Sequence, residues 1–339
     1  MTALKNQLRV CWLKDKRLGH LTKIDGVLKA LMFHYEIEVE EIEVVWRPRF
    51  LRKCARLLPR SYLQKTLERM PEDSVDLVVS AGGATEWPNA ILAKRLHVPN
   101  VYIGSCRTCK EEDVMILPRF EGSANNVLSL DVSPSKVDQA LVQRAAETEL
   151  SELTATYWTV LLGGDCKGCT WTEKDWTLQM KRIISEARKA HVQLLVTSSP
   201  RTGKSNEHIC EELLLDSGLL ARGVWFGTKD INSPSMLAML GKADRVIVSE
   251  DSASMVNEAV LARKPVATIS PTLCKLPARN ERMLMHLEQK KYIVRLQSDS
   301  WDLAKLNPTQ WTLASSDWYY EFGMHLKERI DNWISPNEN

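Results

Sequence analysis

Three short turns in the second half of the chain combine residue types that suit a phosphate. LLGGD ends in Gly163-Gly164-Asp165, VTSSPRTGKS carries Ser199, Arg201, Thr202 and Lys204, and VIVSEDSASMVNEAV carries Asp251, Ser252, Ser254 and Glu258. Glycines let a ligand approach the backbone. Arginine offers a phosphate two parallel N–H donors, and lysine adds a point charge. A small polar turn at a helix start leaves N–H groups open, and these suit an anion. One glycine-rich strand end is commonplace, but three turns with compatible chemistry predict a diphosphate pocket. Glu258, a turn into its helix, is placed either for ribose hydroxyls or as an ordinary solvated glutamate. Phe226, between Trp225 and Gly227 in GVWFG, either flanks a base or joins the core.

Each turn needs a strand before it and a helix after it. VIV (246–248) is a β-branched run of the kind found in buried parallel strands, and VATIS (266–270) resumes the sheet after Lys264-Pro265. Ser252 or Ser254 can cap the helix between them. YWTVLLGG (157–164), VQLLVTSS (192–199) and GVWFG (223–227) read as further strands, with helices over 176–189, 207–215 and 235–240. All three turns then follow strand carboxyl ends, on one edge of a parallel sheet. The first half repeats the scheme. LRVCWL (8–13), IEVEEIEVV (37–45), VDLVVSAGG (75–83) and VPNVYIGS (98–105) are strands, DVMILP and NVLSL continue the pattern, and helices cover 22–33 and 89–96. The segment 133–153 reads as a polar surface helix leading into a linker, and 315–334 as a terminal amphipathic helix with Trp318, Phe322, Leu326, Ile330 and Trp333 on one stripe. Strand and helix alternate throughout, which predicts an α/β class with parallel sheets, two Rossmann-like halves and a cleft between them. The expected domains are 1–150, 151–310 and a C-terminal helix, 311–339, packed across both.

With 339 residues the chain is long enough for two domains, and 44% apolar with 26% charged residues is ordinary globular composition. A net charge of +2 gives no general attraction to nucleic acid. No window approaches the ~20 apolar residues of a membrane span, and the N-terminus lacks the apolar core of a signal peptide. A cytoplasmic protein is expected, its eight cysteines reduced.

LLGGD, VTSSPRTG and ADRVIVSEDSASMVNEAVLARKPV resemble the signature of the mitochondrial-fission "elongated mitochondria" family, grouped with the glycosyltransferases and including a bacterial lipopolysaccharide outer-core transferase. KDKRLGH, VDLVVSAGG and NNVLSLD follow the same pattern, so the similarity covers nearly the whole chain. It implies a GT-B fold, with the acceptor on the first domain and a nucleotide-sugar donor on the second. By the same resemblance Gly163 and Gly164 pass close to the diphosphate, and Ser199, Arg201 and Thr202 contact phosphate or sugar. Asp251, Ser252 and Ser254 present the helix N-terminus, and Glu258 holds the ribose. The chain departs from the pattern at Pro200, where the family has a second arginine, and at the loosened Asn232-Ser233-Pro234-Ser235.

Transfer of this type needs a base for the acceptor hydroxyl and positive charge for the leaving diphosphate; no metal is strictly required, and no cofactor is expected beyond the nucleotide sugar as substrate. Arg201 and Lys204 serve the leaving group. Asp15 and His20 in KDKRLGH, and Glu86 after Gly82-Gly83, are candidate bases. His20 is equally readable as a hydrogen-bonded turn residue.

Residues 46–70 hold eight Lys or Arg against one acid, interleaved with leucines and aromatics. Arg49, Arg52, Lys53 and Arg56 fit an anionic membrane leaflet carrying a glycolipid acceptor, which places the protein peripherally on the inner membrane. A solvated basic helix is the plainer alternative. Two Cys-x-x-Cys pairs, Cys106/Cys109 and Cys166/Cys169, stand 56 residues apart, so reduced thiols are expected rather than a four-thiolate zinc; a redox-sensitive pair is the further option. The reading is a metal-independent GT-B glycosyltransferase acting on a glycolipid such as lipopolysaccharide core. A non-enzymatic membrane adaptor and a nucleotide-sugar epimerase are its rivals.

Overall fold

Apolar, largely β-branched runs form the strands, and most are buried along their length, as parallel sheets covered by helices require. The computed structural model describes residues 6–71, 75–120, 122, 124–228, 233–296, 301 and 314–334. They form two compact units, one of residues to 136 with those from 316 onward, the other of residues 137–315.

The first unit holds β1 (Asn6–Lys14), α1 (Leu18–Leu31), β2 (Tyr35–Glu43), α2 (Leu63–Thr66), β3 (Leu77–Ala81), α3 (Glu86–Leu96) and β4 (Asn100–Ile103). The sheet order is β2-β1-β3-β4, all parallel. The strand order therefore reverses between β1 and β3, the place where doubly wound sheets bind ligands beyond the carboxyl ends. DVMILP meets this sheet at one point, where Ile116 bridges Val101 in parallel, and NVLSL does not pair with it. They supply β5 (Leu117–Arg119) and β6 (Val127–Ser129), a separate parallel pair. The first helix starts at Leu18 rather than Thr22, which puts His20 in its first turn.

The second unit holds α4 (Gln139–Glu149), β7 (Tyr157–Leu161), α5 (Glu173–Ala190), β8 (Gln193–Thr197), α6 (Lys204–Ser217), β9 (Leu220–Val224), α7 (Met236–Lys242), β10 (Ala243–Ser249), α8 (Ala253–Leu261), β11 (Val266–Ile269), α9 (Ala278–Gln289) and β12 (Ile293–Arg295). Its parallel sheet runs β12-β11-β10-β7-β8-β9, so here the order reverses between β7 and β10. Strand β9 ends at Val224, not at Gly227, because the Phe226 and Gly227 amides bond to the Ser198 and Glu207 side chains instead of a neighbouring strand.

The helix expected to lead into a linker, α4, is part of the second unit. Asp138 caps it by accepting from the Leu141 amide at 2.6 Å, and it buries Val142 and Ala146. Gly241 of α7 lets the two helices approach, since a Cβ there would lie 2.0 Å from the Val142 carbonyl. The terminal helix α10 (Trp318–Ile334) belongs to the first unit and packs on α1. Tyr319, Phe322, Leu326 and Ile330 join the core of Ile24, Val27 and Leu31, while Trp333 is exposed.

Candidate functional site

The loops after β7, β8 and β10 interlock around Asp251. Its carboxylate accepts from the Gly164 amide at 2.9 Å and from the Trp171 indole at 2.9 Å, and pairs with Arg201 Nη1 at 2.8 Å. Burial raises the Asp251 carboxyl above its ordinary range, against the pull of Arg201 and the Gly164 amide. The same Arg201 nitrogen donates to the carbonyls of Gly164 and Asp165 at 3.2 and 3.1 Å. Arg201 is thus bound into the loop through Nη1; its Nε and Nη2 have no hydrogen bond to the described residues.

The two glycines serve protein packing first. A Cβ on Gly163 would meet Asp251 Oδ2 at 2.2 Å, and one on Gly164, whose φ is +153°, would meet the Arg201 carbonyl at 2.0 Å. Their amides donate inward, Gly163 to Ser249 Oγ at 2.7 Å and Gly164 to Asp251. Neither amide is left for the diphosphate that the two glycines were expected to pass close to. Ser199 and Thr202 are corrected likewise. Both are buried, with Ser199 Oγ donating to the Gly163 carbonyl at 2.8 Å and Thr202 Oγ1 to that of Leu162 at 3.1 Å. They tie the second loop to the first instead of presenting hydroxyls outward.

What remains turned outward is cationic, aromatic or helical. Lys204 opens α6 and is exposed, with its stem alongside Gly227. Phe226 is 54% exposed, whereas Trp225 is buried and belongs to the core. Helix α8 starts at Ala253 behind Ser252, whose side chain makes no capping bond, and Ser254 is exposed in its first turn. The alternative of a solvated Glu258 is overturned, because this residue is buried on the inner side of α8. Glu250, the other acid at this strand end, is a structural anchor. Arg295 grips it through two bonds of 2.8 Å, and Thr268 donates to it at 2.8 Å. Of the loosened 232–235 element, Asn232 lies outside the described residues, while Ser235 caps α7 by accepting from the Ala238 amide at 3.2 Å.

Sequence reasoning missed Ser249, Trp171, Ser198 and Glu207. Ser198 donates to Glu207 Oε1 at 2.5 Å, and together they hold the turn carrying Phe226. Asp175 was missed as well. It boxes the start of α5 with Thr172 and also receives the Thr272 amide and hydroxyl at 2.9 and 2.7 Å. Burial would raise its carboxyl, but these bonds outweigh burial and bring it down to about 2. The capping pattern Thr-x-x-Asp was visible in the sequence; the contact to Thr272 had no local signal.

In the first unit the turn from β1 into α1 brings Asp15 and His20 together. Asp15 Oδ2 lies 2.8 Å and Oδ1 3.0 Å from His20 Nδ1. Burial would raise the Asp15 carboxyl, but the His20 ring and the Arg17 amide outweigh it and hold it below the usual range. An ionised Asp15 accepts a hydrogen bond from Nδ1–H, which leaves the lone pair of the ring on Nε2. The ring lies over Gly82, where a Cβ would meet it at 2.1 Å. Glu86 is corrected as a base: it is 1% exposed, and its Oε1 accepts the Arg107, Thr108 and Cys109 amides at 2.5, 2.5 and 2.9 Å. It anchors a loop and is not presented to an acceptor.

Arg49, Arg52, Lys53 and Arg56 are all exposed, on a 3-10 segment from Arg49 to Leu57 that kinks at Cys54. The segment is not one continuous helix. Ala55 and Leu63 turn inward, while Phe50 and Leu57 are 65% and 85% exposed among the cations. The cysteine expectation fails in the second unit, where Cys169 forms a disulfide with Cys274 at a Cα separation of 4.3 Å. The loops after β7 and β11 bring the two together. Cys169 is therefore unavailable as a thiolate, and the four-cysteine zinc does not form.

Two Rossmann-like units in succession, each with a reversal in its strand order, define the GT-B fold class. The chain belongs to the mitochondrial fission ELM1 family, whose model matches residues 18–315. None of the curated proteins matches the sequence. Among solved structures it is similar to a Listeria monocytogenes protein assigned as a UDP-N-acetylglucosamine 2-epimerase, with 9% identity, 98% of each chain covered and a TM-score of 0.58. It is also similar to the Methanocaldococcus jannaschii UDP-GlcNAc 2-epimerase in complex with UDP-GlcNAc and UDP, with 12% identity, 95% and 99% coverage and a TM-score of 0.50. The Escherichia coli ADP-heptose lipopolysaccharide heptosyltransferase II covers 98% and 100% at 9% identity, but its TM-score of 0.48 carries no weight. Identities this low speak to the fold alone.

Proposed function

We propose that the chain is a metal-independent glycosyltransferase that passes a sugar from a nucleotide-sugar donor to a membrane-associated glycolipid, such as lipopolysaccharide core or a related surface glycan. The observation that carries the reading is the meeting of three strand-end loops at the β7–β10 reversal, with Arg201, Lys204 and the start of α8 beside it. That is where a doubly wound sheet binds a nucleotide. Arg201 through Nε and Nη2, Lys204 as a point charge and the α8 amides would stabilise the departing diphosphate. Phe226 is the group for the base, and Glu258 the candidate for the ribose. In the first unit His20, oriented by Asp15, is the candidate for taking the acceptor proton. The M. jannaschii neighbour binds UDP-GlcNAc and UDP, which supports a nucleotide sugar as partner.

Exposed Arg49, Arg52, Lys53 and Arg56, with Phe50 and Leu57 among them, support a peripheral position on an anionic leaflet at the cytoplasmic face. Among the described residues no helix is long and apolar enough to cross a membrane. Reversing Arg49, Arg52 and Arg56 to glutamate should lower recovery on vesicles containing anionic lipid; equal recovery would remove this part of the reading.

The test is a panel of nucleotide sugars titrated by calorimetry, followed by product analysis with a lipid-linked acceptor. Binding plus sugar transfer is the expected result. The epimerase reading is established instead if the bound sugar isomerises without acceptor. Binding of no nucleotide sugar would leave the non-enzymatic membrane-adaptor reading.

A further inference from the structure

Glu86, which is not presented to a sugar acceptor, sits under a dithiol. It opens α3, and its Oε1 gathers three successive amides of the loop 107–109, a nest that fixes the Cys106-Arg107-Thr108-Cys109 turn. The same oxygen accepts from Cys109 Sγ at 3.3 Å. Both sulfurs and a Glu86 carboxylate oxygen lie within 4.8 Å of one another. The two thiols differ in setting. Cys109 is buried, whereas Cys106 is partly exposed, with Arg119 Nη2 3.9 Å from its sulfur.

We propose that Cys106 and Cys109 are a redox-active pair, in which Cys106 is the attacking thiolate, Cys109 the resolving thiol and Glu86 the acceptor of the Cys109 proton. Attack requires a thiolate that solvent can reach, and a nearby cation favours that form. The hydrogen bond from Cys109, helped by Arg119, lowers the Cys106 thiol against the opposing effects of burial and Glu86. The bond to Cys106, followed by burial and Glu86, raises the Cys109 thiol. The asymmetry has the right direction for one attacking and one resolving sulfur.

The oxidant is a low-molecular-weight disulfide. The Cys106 thiolate attacks one of its sulfurs, forming a mixed disulfide and releasing the first small thiolate. Cys109 then gives its proton to Glu86, and its sulfur attacks the Cys106 sulfur. The second small thiolate leaves, taking up a proton. Two protein thiols are oxidised, and one small disulfide is reduced to two thiols. A metal is the competing occupant of such a cluster. Against it stands the Arg119 guanidinium beside Cys106, a like charge for any cation.

The test treats the reduced full-length chain with glutathione disulfide and maps its peptides without reduction. Trypsin cuts after Arg107 and Lys110, so an intramolecular bond joins peptide 96–107 to 108–110. That linkage is expected, with no lasting glutathione adduct. Cys109→Ser should trap one glutathione on Cys106, and Cys106→Ser should leave Cys109 unmodified. Glu86→Gln keeps an oxygen for the three amides but cannot take the proton. Closure should slow about a hundredfold at neutral pH, the low end for a positioned base, while the mixed disulfide at Cys106 accumulates. Three results would overturn the proposal: unlinked peptides, an adduct on Cys109 of the Cys106→Ser variant, or zinc that co-purifies with the reduced chain and shields both thiols from alkylation. The serine variants decide the matter even if Glu86→Gln fails to fold.

Discussion

Arg201 and Asp251 face each other with unequal exposure, 38% for the guanidinium and none for the carboxylate. Removing the cation strands a buried anion, so Arg201→Ala should lower stability as well as donor affinity, by up to about 3 kcal/mol. The raised Asp251 carboxyl gives the pH dependence its sign. An acid whose folded pKa is raised opposes folding where the carboxylate is charged, and without Arg201 that opposition grows. The deficit of Arg201→Ala should be largest near neutrality and shrink as the pH falls and Asp251 takes a proton; chemical denaturation at several pH values measures it. A pH-independent deficit would contradict the pairing. Arg201→Lys keeps a charge beside Asp251 but loses the planar fork, so it should retain most of the stability while nucleotide-sugar affinity falls about tenfold. At this scale the sequence told residue types and little about their partners. Arg201, Asp251 and Glu258 were legible as a group because they sit in strand-end motifs. Their commitments were not, because Gly164 and Trp171 reach Asp251 from a distant part of the chain.

The loops after β7 and β8 are built by close backbone approach, and glycine substitutions test that directly. Gly164→Ala would place a methyl on the Arg201 carbonyl and hold a side chain at positive φ. It should cost about 2 kcal/mol or more and abolish donor binding. Gly83→Ala, with nothing within 4 Å of the added carbon, should change stability by less than about 0.5 kcal/mol. Equal effects would mean the glycines are not structural. The start of α5 carries a second test. Asp175 has a folded pKa near 2 against an ordinary 3.8. A depressed carboxylate contributes stability that is complete above the unfolded pKa and is lost as the pH falls through the folded one. Acid titration should therefore weaken the second unit between about pH 4 and pH 2, and Asp175→Asn should flatten that slope; an unchanged slope would contradict the assignment. Most elements were legible, because β-branched runs and turn residues mark them. The errors lay at boundaries set by tertiary bonds: β9 stops where Ser198 and Glu207 take its amides, and α4 joins the second unit because Gly241 admits it to α7.

Two units with separate cores need not unfold as one. Nucleotide held by the second unit should raise only the transition of that unit, by about 2.7 kcal/mol at a hundredfold excess over its dissociation constant. Scanning calorimetry with and without uridine diphosphate reads this, and a shift confined to the other transition would place the nucleotide elsewhere. The two-unit class was legible from the repeat of strand–helix alternation, and the family from LLGGD, VTSSPRTG and EDSASM. The Cys169–Cys274 disulfide was not, since no spacing rule links residues 105 apart. The most direct test of the central claim is a crystal structure with a nucleoside diphosphate bound. The diphosphate should lie against Arg201, Lys204 and the first turn of α8, with its base near Phe226; ordered density anywhere else, with these loops unchanged, would contradict the donor site.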